Sequence, residues 1–486
     1  MIFASFKENE LSFGRKSSIL YDNNFIVGAG VQNMREFTDF ISEYKYFVQM
    51  YVLPLMGLPN ISIGIKTVKK EFQVPSTSEV FYDEVSHRIH FADPEKVLFY
   101  LDADISISDD SYRLARNLCK SFFKISEFQF LSSKSSSVRS VMFCSDIHRD
   151  KVYQLAVQRG ICVWALGKEN ESIEKLLSLL EEWSVRTYEG KKVTFGFVID
   201  PGEDFPVRIP AQKWFKFLND DYSAVLTDNI HSLIQLNENC DFIRFCSLTE
   251  GKSISSHKLT PYLPLRFSHS ISKYIKGNAV GIFLLNNGDI VISKNQKIMF
   301  VKRNLHWLNF SYEAFCSAIS QKNLKLSRAL LSEVYATTLD VSFAHTGGII
   351  AVVKDPDSLR NSAFPILKPY DDLMIEPPEV TTKPTRDEEM KQIKRQVITA
   401  LVDNKSFQSL DRKLRSELAA MDGACIMNTK GDLISFGAII RNDAVSSGGA
   451  RGAASKTLSK YGLAIKISTD GYVELYVDGE KIFAIK

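Results

Sequence analysis

The apolar positions of this chain switch repeatedly between two periods, and the switches mark its elements. From Ser136 the short apolar run SVRSVMFCS predicts a buried strand. DIHRDKVYQLAVQRG comes next with helical spacing, and the glycine at 160 predicts its stop. ICVWALG then reads as a strand, SIEKLLSLLEEWSVRTYEG as a helix and KKVTFGFVID as a strand. Strand–helix–strand–helix–strand at this spacing predicts parallel βαβ units in a small doubly wound sheet. Further on, AVGIFLLNNGDIVISKNQKIMFVKRN alternates apolar runs with Asn-Asn-Gly and Lys-Asn-Gln turns, the pattern of a β-meander. Trp307 and Phe310 are set to pack it onto the next segment of the chain.

SYEAFCSAISQKNLKLSRALLSEVYATTLDVSF carries apolar residues at i, i+3, i+4 and predicts two helices. Gly347-Gly348 then lead a buried strand, IIAVV. Prolines 365, 369, 377, 378 and 384 predict a surface excursion with no regular structure. EEMKQIKRQVITALVDN and FQSLDRKLRSELAAM are amphipathic, and the second runs directly into Asp422. The last stretch, Met421–Lys486, reads as strand, turn, strand, glycine-rich loop, short helix and further strands.

Upstream, residues 1–135 alternate strand-like pieces such as VLFYLDADISI with helical ones such as DSYRLARNLCKSFFKI. The expected class is therefore α/β. A C-terminal mixed sheet flanked by helices (318–486) would be preceded by an α/β, partly βαβ, region. That region divides into 1–135 and a sensor-like 136–310 with the meander.

Composition narrows the function classes. Sixty basic and 57 acidic residues leave a net charge of +3, so there is no global pull toward nucleic acid or anionic lipid. No basic–aromatic stripe of the kind nucleic-acid binders carry is present. No run approaches the ~18 apolar residues of a membrane span, and the N-terminus has no signal-peptide pattern. The seven cysteines are scattered without a CxxC pair, as expected of buried reduced thiols in a cytoplasmic protein.

Three places carry candidate chemistry. His87 and His90, at spacing three with Glu84 near, have the spacing of a metal half-site, but nothing near completes a ligand set, and the preferred reading is a strand or hairpin edge with solvated histidines. Asp200, Gly202, Glu203 and Asp204 come after a strand, where doubly wound sheets bind ligands, although no GxGxxG or GxxxxGK[ST] accompanies them. The third is the terminal stretch. Gly448, Gly449, Arg451 and Gly452 lie where loop becomes helix, so backbone N–H groups and a guanidinium would face an anion such as phosphate. Asp422 stands at the mouth of a strand, where a carboxylate would hold a metal or accept a proton.

In order and in residues, this third constellation resembles the diadenylate cyclase (DAC, or DisA-N) domain. Asp422-Gly423-Ala424 matches the family's DGA motif, and Gly449-Ala450-Arg451 the start of its G-[TA]-R-H-R-x-A motif. LAIKIS ending at Ser468, then Thr469-Asp470-Gly471, resembles its strand ending Ser-Glu-x-x-Gly. TTLDVSFAHTGGIIAVVKDPDSL resembles its first helix and glycine-led strand, so the resemblance covers residues 318–486. The chain departs from the family at Arg451-Gly452-Ala453, where the family has Arg-His-Arg.

The resemblance implies condensation of two ATP into cyclic di-AMP with Mg²⁺ or Mn²⁺, in a homodimer whose sites face each other. It implies that Asp422 binds the metal or orients a hydroxyl, and that Arg451 and the loop amides hold phosphates. Ser468 would hydrogen-bond a phosphate. Gly423, Ala424, Gly448, Gly449, Ala450 and Gly452 would line the nucleotide site; Arg441 and Lys456, which no motif match fixes, are further sources of charge near it in sequence. Two other readings stand beside it: a degenerate ATP- or dinucleotide-binding module, and an unrelated α/β enzyme with its site near Asp200.

Overall fold

The structure, a computed structural model, describes residues 43–57, 63–67, 80–83, 88–92, 97–101, 109–132, 146–202, 206–220, 231–247, 261–265, 274–320, 324–361, 366–367, 383–441 and 449–485, with 223, 226–228 and 322 between them. The chain divides into Met1–Lys45 and a compact unit, Tyr46–Lys486.

The larger unit is α/β with mixed sheets. Strands β1 (Ile63–Thr67), β2 (Val80–Asp83), β3 (Arg88–Ala92) and β4 (Val97–Leu101) form an antiparallel sheet of order β1-β4-β3-β2. His90 lies on β3 opposite Phe81 and Tyr100 in the ladder; His87 and Glu84, the other members of that candidate, lie outside the described residues.

Helix α1 (Asp109–Ser132) packs on α2 (Asp146–Leu166). Here the structure overturns one expectation. Helix α2 does not stop at Gly160, and ICVWALG is its last turns rather than a strand. The glycine serves a crossing instead: a Cβ on Gly160 would lie 2.8 Å from the Leu118 Cα of α1. Ile161 and Cys162 beside it are buried, so the apolar run that mimics a strand is the inner face of a helix pair. The strand expected at SVRSVMFCS, Cys144 included, lies outside the described residues. Helix α3 (Glu171–Ser184) comes next, capped by Asn170, whose side chain accepts from Ser172 N and Ile173 N.

The second sheet comprises β5 (Phe195–Ile199), then helix α4 (Ala211–Leu218), β6 (Ser232–Leu236), β7 (Phe242–Ser247), β8 (Val280–Leu284), β9 (Ile290–Lys294), β10 (Lys297–Arg303) and β11 (His306–Asn309). Its order is β11-β10-β9-β8-β5-β6-β7. Only β5–α4–β6 is a βαβ unit with parallel strands; every other neighbouring pair is antiparallel. The expected doubly wound sheet gives way to a mostly antiparallel one: ICVWALG is helical, so of the strands expected there only KKVTFGFVID, among the described residues, enters this sheet, and it pairs in parallel with β6 alone. Asn295 and Gln296 between β9 and β10 hold φ of 52° and 59°, the geometry of a two-residue hairpin turn.

The terminal region begins with α5 (Tyr312–Ser320) and α6 (Arg328–Ala344), as the helical spacing predicts. Then come β12 (Gly348–Val353), α7 (Arg386–Val402), α8 (Arg412–Ala420), β13 (Ala424–Asn428), β14 (Leu433–Ala438), α9 (Gly449–Leu458), β15 (Gly462–Ile467), β16 (Val473–Val477) and β17 (Glu480–Ile485). The sheet order is β14-β13-β12-β15-β16-β17, with β12 and β13 parallel. Most of the proline-rich excursion lies outside the described residues.

Both faces of the central strand are buried, which is why GIIAVV is an unbroken apolar run. Ile349, Ala351 and Val353 face α9 through Ala454 and Leu458. Ile350 and Val352 join a core that continues through Tyr335 and Leu339 of α6 into Phe283, Val301 and Phe310 of the meander. The meander and the terminal sheet thus share one core. Phe310 packs on Phe343 with ring centroids 5.5 Å apart. Among the described residues no helix is long and apolar enough to cross a membrane.

Candidate functional site: one end of the terminal sheet

Strand direction gathers the separated motifs. In the parallel pair, Ile349 lies opposite Ala424, so Gly347 and Asp422-Gly423 leave the sheet at the same end. Antiparallel β14 ends there, with Ala438 opposite Ala424, and Arg441 lies three residues on. Antiparallel β15 also ends there, with Ile467 opposite Gly348, delivering Ser468 and Thr469. Helix α9 then brings Arg451 to the same corner. A Cβ on Gly347 would stand 2.8 Å from Arg451 Nη1 and 3.2 Å from Thr469 N. Segments far apart in sequence thus meet around one half-buried guanidinium.

Two glycines are required by this corner. Gly347 holds φ of +71°, and any side chain would displace Arg451. Gly423 holds φ of +106°, and its Cβ would stand 2.3 Å from the Gly437 carbonyl carbon of β14. The DG pair is therefore a close backbone crossing at the rim of the sheet, with Asp422 exposed and Ala424 buried in the strand. Helix α8 is fixed by a buried bidentate pair, Arg412 Nε to Asp340 Oδ2 at 2.7 Å and Nη2 to Oδ1 at 2.9 Å. That clamp to α6 fixes the helix that delivers Asp422.

The remaining predicted residues take different places. Gly449 and Ala450 are exposed in the first turn of α9, with Gly449 at φ +70°; Gly452 is buried. Gly448 lies outside the described residues. Ser468 closes its own turn: its hydroxyl accepts from Tyr472 N at 3.1 Å, and its carbonyl accepts from Gly471 N at 2.9 Å. Among the described residues neither Asp422 nor Arg451 has an ion-pair partner.

Sequence reasoning missed what stands behind that turn. Arg303, at the end of β10, grips Asp289 through Nε at 2.9 Å and Nη2 at 2.6 Å, both residues being almost fully buried. Its Nη1 donates to the Asp470 carbonyl at 3.3 Å. His345, the left-handed cap of α6 at φ 54°, lies with Nδ1 3.1 Å from the Thr469 carbonyl. A carbonyl only accepts, so Nδ1 carries the proton, and Nε2 meets the Asn287 amide nitrogen at 2.7 Å. The Ser342 hydroxyl donates to the Gly471 carbonyl. Burial alone would raise the Asp289 carboxyl, but the His345 imidazole 3.8 Å away, hydrogen bonds from Arg303 and Asn287, and the guanidinium charge outweigh it and hold the group below its usual value. The meander thus clasps the Ser468–Gly471 turn. The only sequence signal was His345 before Thr-Gly-Gly, since its partners lie 58 and 124 residues away.

A cavity of about 520 Å³ adjoins the clasp, between the β8–β9 turn, the end of α6 and α8. Leu285, Asn287, Phe343 and His345 line it, together with Lys413 and Glu417 of α8. Among the described residues no three His, Cys, Asp or Glu side chains gather as a metal set. A single accessible carboxylate such as Asp422 suits Mg²⁺, which keeps its waters and takes one or two carboxylates plus substrate phosphates. It does not suit a zinc cage. The six described cysteines are free thiols, and burial pushes Cys425 up to about 12 and Cys316 to about 11.

Asp200, the other candidate, sits at the end of β5, with its Oδ1 accepting from Gly202 N at 3.0 Å; Glu203 and Asp204 lie outside the described residues.

No family model matches the chain, and no curated protein matches it. A solved structure described as the hypothetical membrane spanning protein from Bacillus cereus is similar at 14% identity over 36% of this chain and 70% of that one. Its TM-score is 0.23, too low to bear on fold or function.

Proposed function

We propose that residues 318–486 form a diadenylate-cyclase-like nucleotide site that binds ATP at the end of the terminal sheet and joins two ATP into cyclic di-AMP. The observation that carries the reading is the meeting of Gly347, Arg451 and Thr469 at the sheet end that also bears Asp422. Backbone N–H groups at the start of α9 and the Arg451 guanidinium would bind phosphates. Arg441, exposed beyond β14 at the same end, is the natural second cation where the family's second arginine is missing. A divalent ion held by Asp422 and the phosphates would supply charge neutralisation and alignment when bound.

Each bond-forming step joins a 3′ oxygen to an α-phosphorus, with loss of the hydroxyl proton and departure of pyrophosphate. Asp422 would orient that hydroxyl, and Arg451 would bind the departing phosphates. Two such steps close the ring, so two sites must meet. The surrounding core excludes water from the inner side of the corner, where the guanidinium is half-buried.

The test is incubation of the full chain with ATP and Mn²⁺ or Mg²⁺, with product identified by mass spectrometry and ATP binding measured by calorimetry. A cyclic dinucleotide that disappears in Asp422→Asn is the expected result. ATP binding without product would leave the second reading, a nucleotide-binding module. The departure at Gly452-Ala453 favours that reading, because a lost transition-state cation costs about 10²–10³-fold in rate. No ATP binding at all would sink both.

A further inference from the structure

Helix α7 wears its amphipathicity inside out. It is strongly encoded: Thr385 and Glu388 form a full capping box, three acidic residues fill the first turn, and Asp403 caps the end in the left-handed region with its N–H on the Thr399 carbonyl. A helix on a folded body normally turns its apolar stripe inward. Here the face that is partly covered carries Lys391, Gln392 and Arg395 through the middle turns, and only Ile398 and Val402 at the end join an apolar cluster with Leu410, Leu418 and Phe436. Met390, Ile393, Val397 and Leu401, spaced 3, 4 and 4, form one stripe, and each is half or more exposed. Single exposed apolar residues are ordinary; a continuous stripe along one helix face marks an interaction surface.

We infer that this stripe pairs with the same stripe of a second copy of the chain, the two helices running antiparallel about a two-fold axis. The spacing is close to palindromic. Met390 with Leu401, and Ile393 with Val397, share a midpoint near residue 395, so reversal lays the stripe on itself as an isologous contact demands. Charge agrees with that direction. Asp387 and Glu389 are exposed at the start of the helix after Arg386, and Lys405 is exposed just past its end, 3.4 Å from the Asp403 carboxylate of its own chain. Antiparallel pairing brings the acidic start of each helix to the lysine-bearing end of the other and opposes the two helix dipoles. An anionic membrane surface fits less well, since acidic residues crowd one end of the exposed side.

The stripe is ~16 Å long at 1.5 Å per residue. One such helix pair buries on the order of 600 Å², short of the ~1,200 Å² of a standard stable complex, so the dimer is concentration-dependent. The pairing deepens the cyclase reading, which needs two chains, but it rests on α7 alone.

Sedimentation velocity of the full chain across a concentration series tests it. The wild type should pass from monomer to dimer, and Ile393→Glu with Val397→Glu should remain monomeric with unchanged circular dichroism and melting. A wild type that stays monomeric, or a dimer indifferent to both substitutions, overturns the proposal. So does a monomer captured by anionic vesicles through the same stripe. Oxidation gives direction: Ile393→Cys with Val397→Cys should yield a covalent dimer, and cross-linking of Met390→Cys alone would mean parallel helices and overturn it. A dimer that binds no ATP would end the nucleotide reading and keep this one; ATP binding by a strict monomer would do the reverse.

Discussion

Of the strand ends that join an aspartate to glycine, two stand in contrast: Asp200-Pro201-Gly202 after β5, and Asp422-Gly423 before β13. At the first, polar groups satisfy one another. Asp200 accepts from Gly202 N, and its own N–H reaches the Leu236 carbonyl at 3.0 Å. In the same sheet region, Asp241 accepts from Ala211 N of α4 at 2.7 Å, and Asp228 accepts from His231 N at 2.7 Å. At the second, an accessible carboxylate and a half-buried guanidinium stand at the same sheet end without ion-pair partners among the described residues. Side chains that close turns have little capacity left for a ligand. Charges fixed by close-packed glycine backbone and unspent on each other do.

The comparison breaks most readily behind the turn. Arg303→Met leaves Asp289 buried without its cation, and unfolding in urea should show a loss of about 3–5 kcal/mol. A loss near zero would mean that the clasp does not hold the terminal edge. Next in size, Asp422→Asn should lower product formation by roughly 10²-fold or more, whereas Asp200→Asn should leave it close to wild type. The opposite ranking would move the site to β5. Gly347→Ala should weaken ATP binding by about tenfold, since its Cβ and left-handed backbone both press on the Arg451 corner; calorimetry that finds an unchanged affinity would remove Arg451 from the binding site. The smallest effect is on pH. The Asp289 carboxyl lies lower in the folded chain than its unfolded value of ~3.9. Its stabilisation is therefore present above that value and lost as pH falls through the folded one, and Asp289→Asn should flatten the acid limb of a stability–pH profile.

Much of the terminal region was legible because its signals are local. The helical spacing of α5, α6 and α8, the apolar run of β12 and the hairpin turns of the meander each lie within one window. ICVWALG was not, because a run of buried β-branched and aromatic residues fits a buried strand or a buried helix equally, and Gly160 signals a stop or a crossing in the same letter. The meeting of Asp422, Arg451 and Gly347 could be named as motifs, but only strand direction shows them at one end. Of the Asp289–Arg303–His345 clasp no more than the histidine before Thr-Gly-Gly shows in any window, since pairing across sheets has no period.

The continuous core between meander and terminal sheet bears on inheritance. A gene fragment encoding only the part from Ser327 onward would leave Tyr335, Leu339 and Phe343 without Phe283, Val301 and Phe310 to cover them. The Ser468–Gly471 turn would also lose the arginine beneath it. A terminal sheet moved alone onto another partner would carry an uncovered core face with it. The two sheets are packed as one, and a substitution at Arg303 in the meander acts on a turn 167 residues downstream.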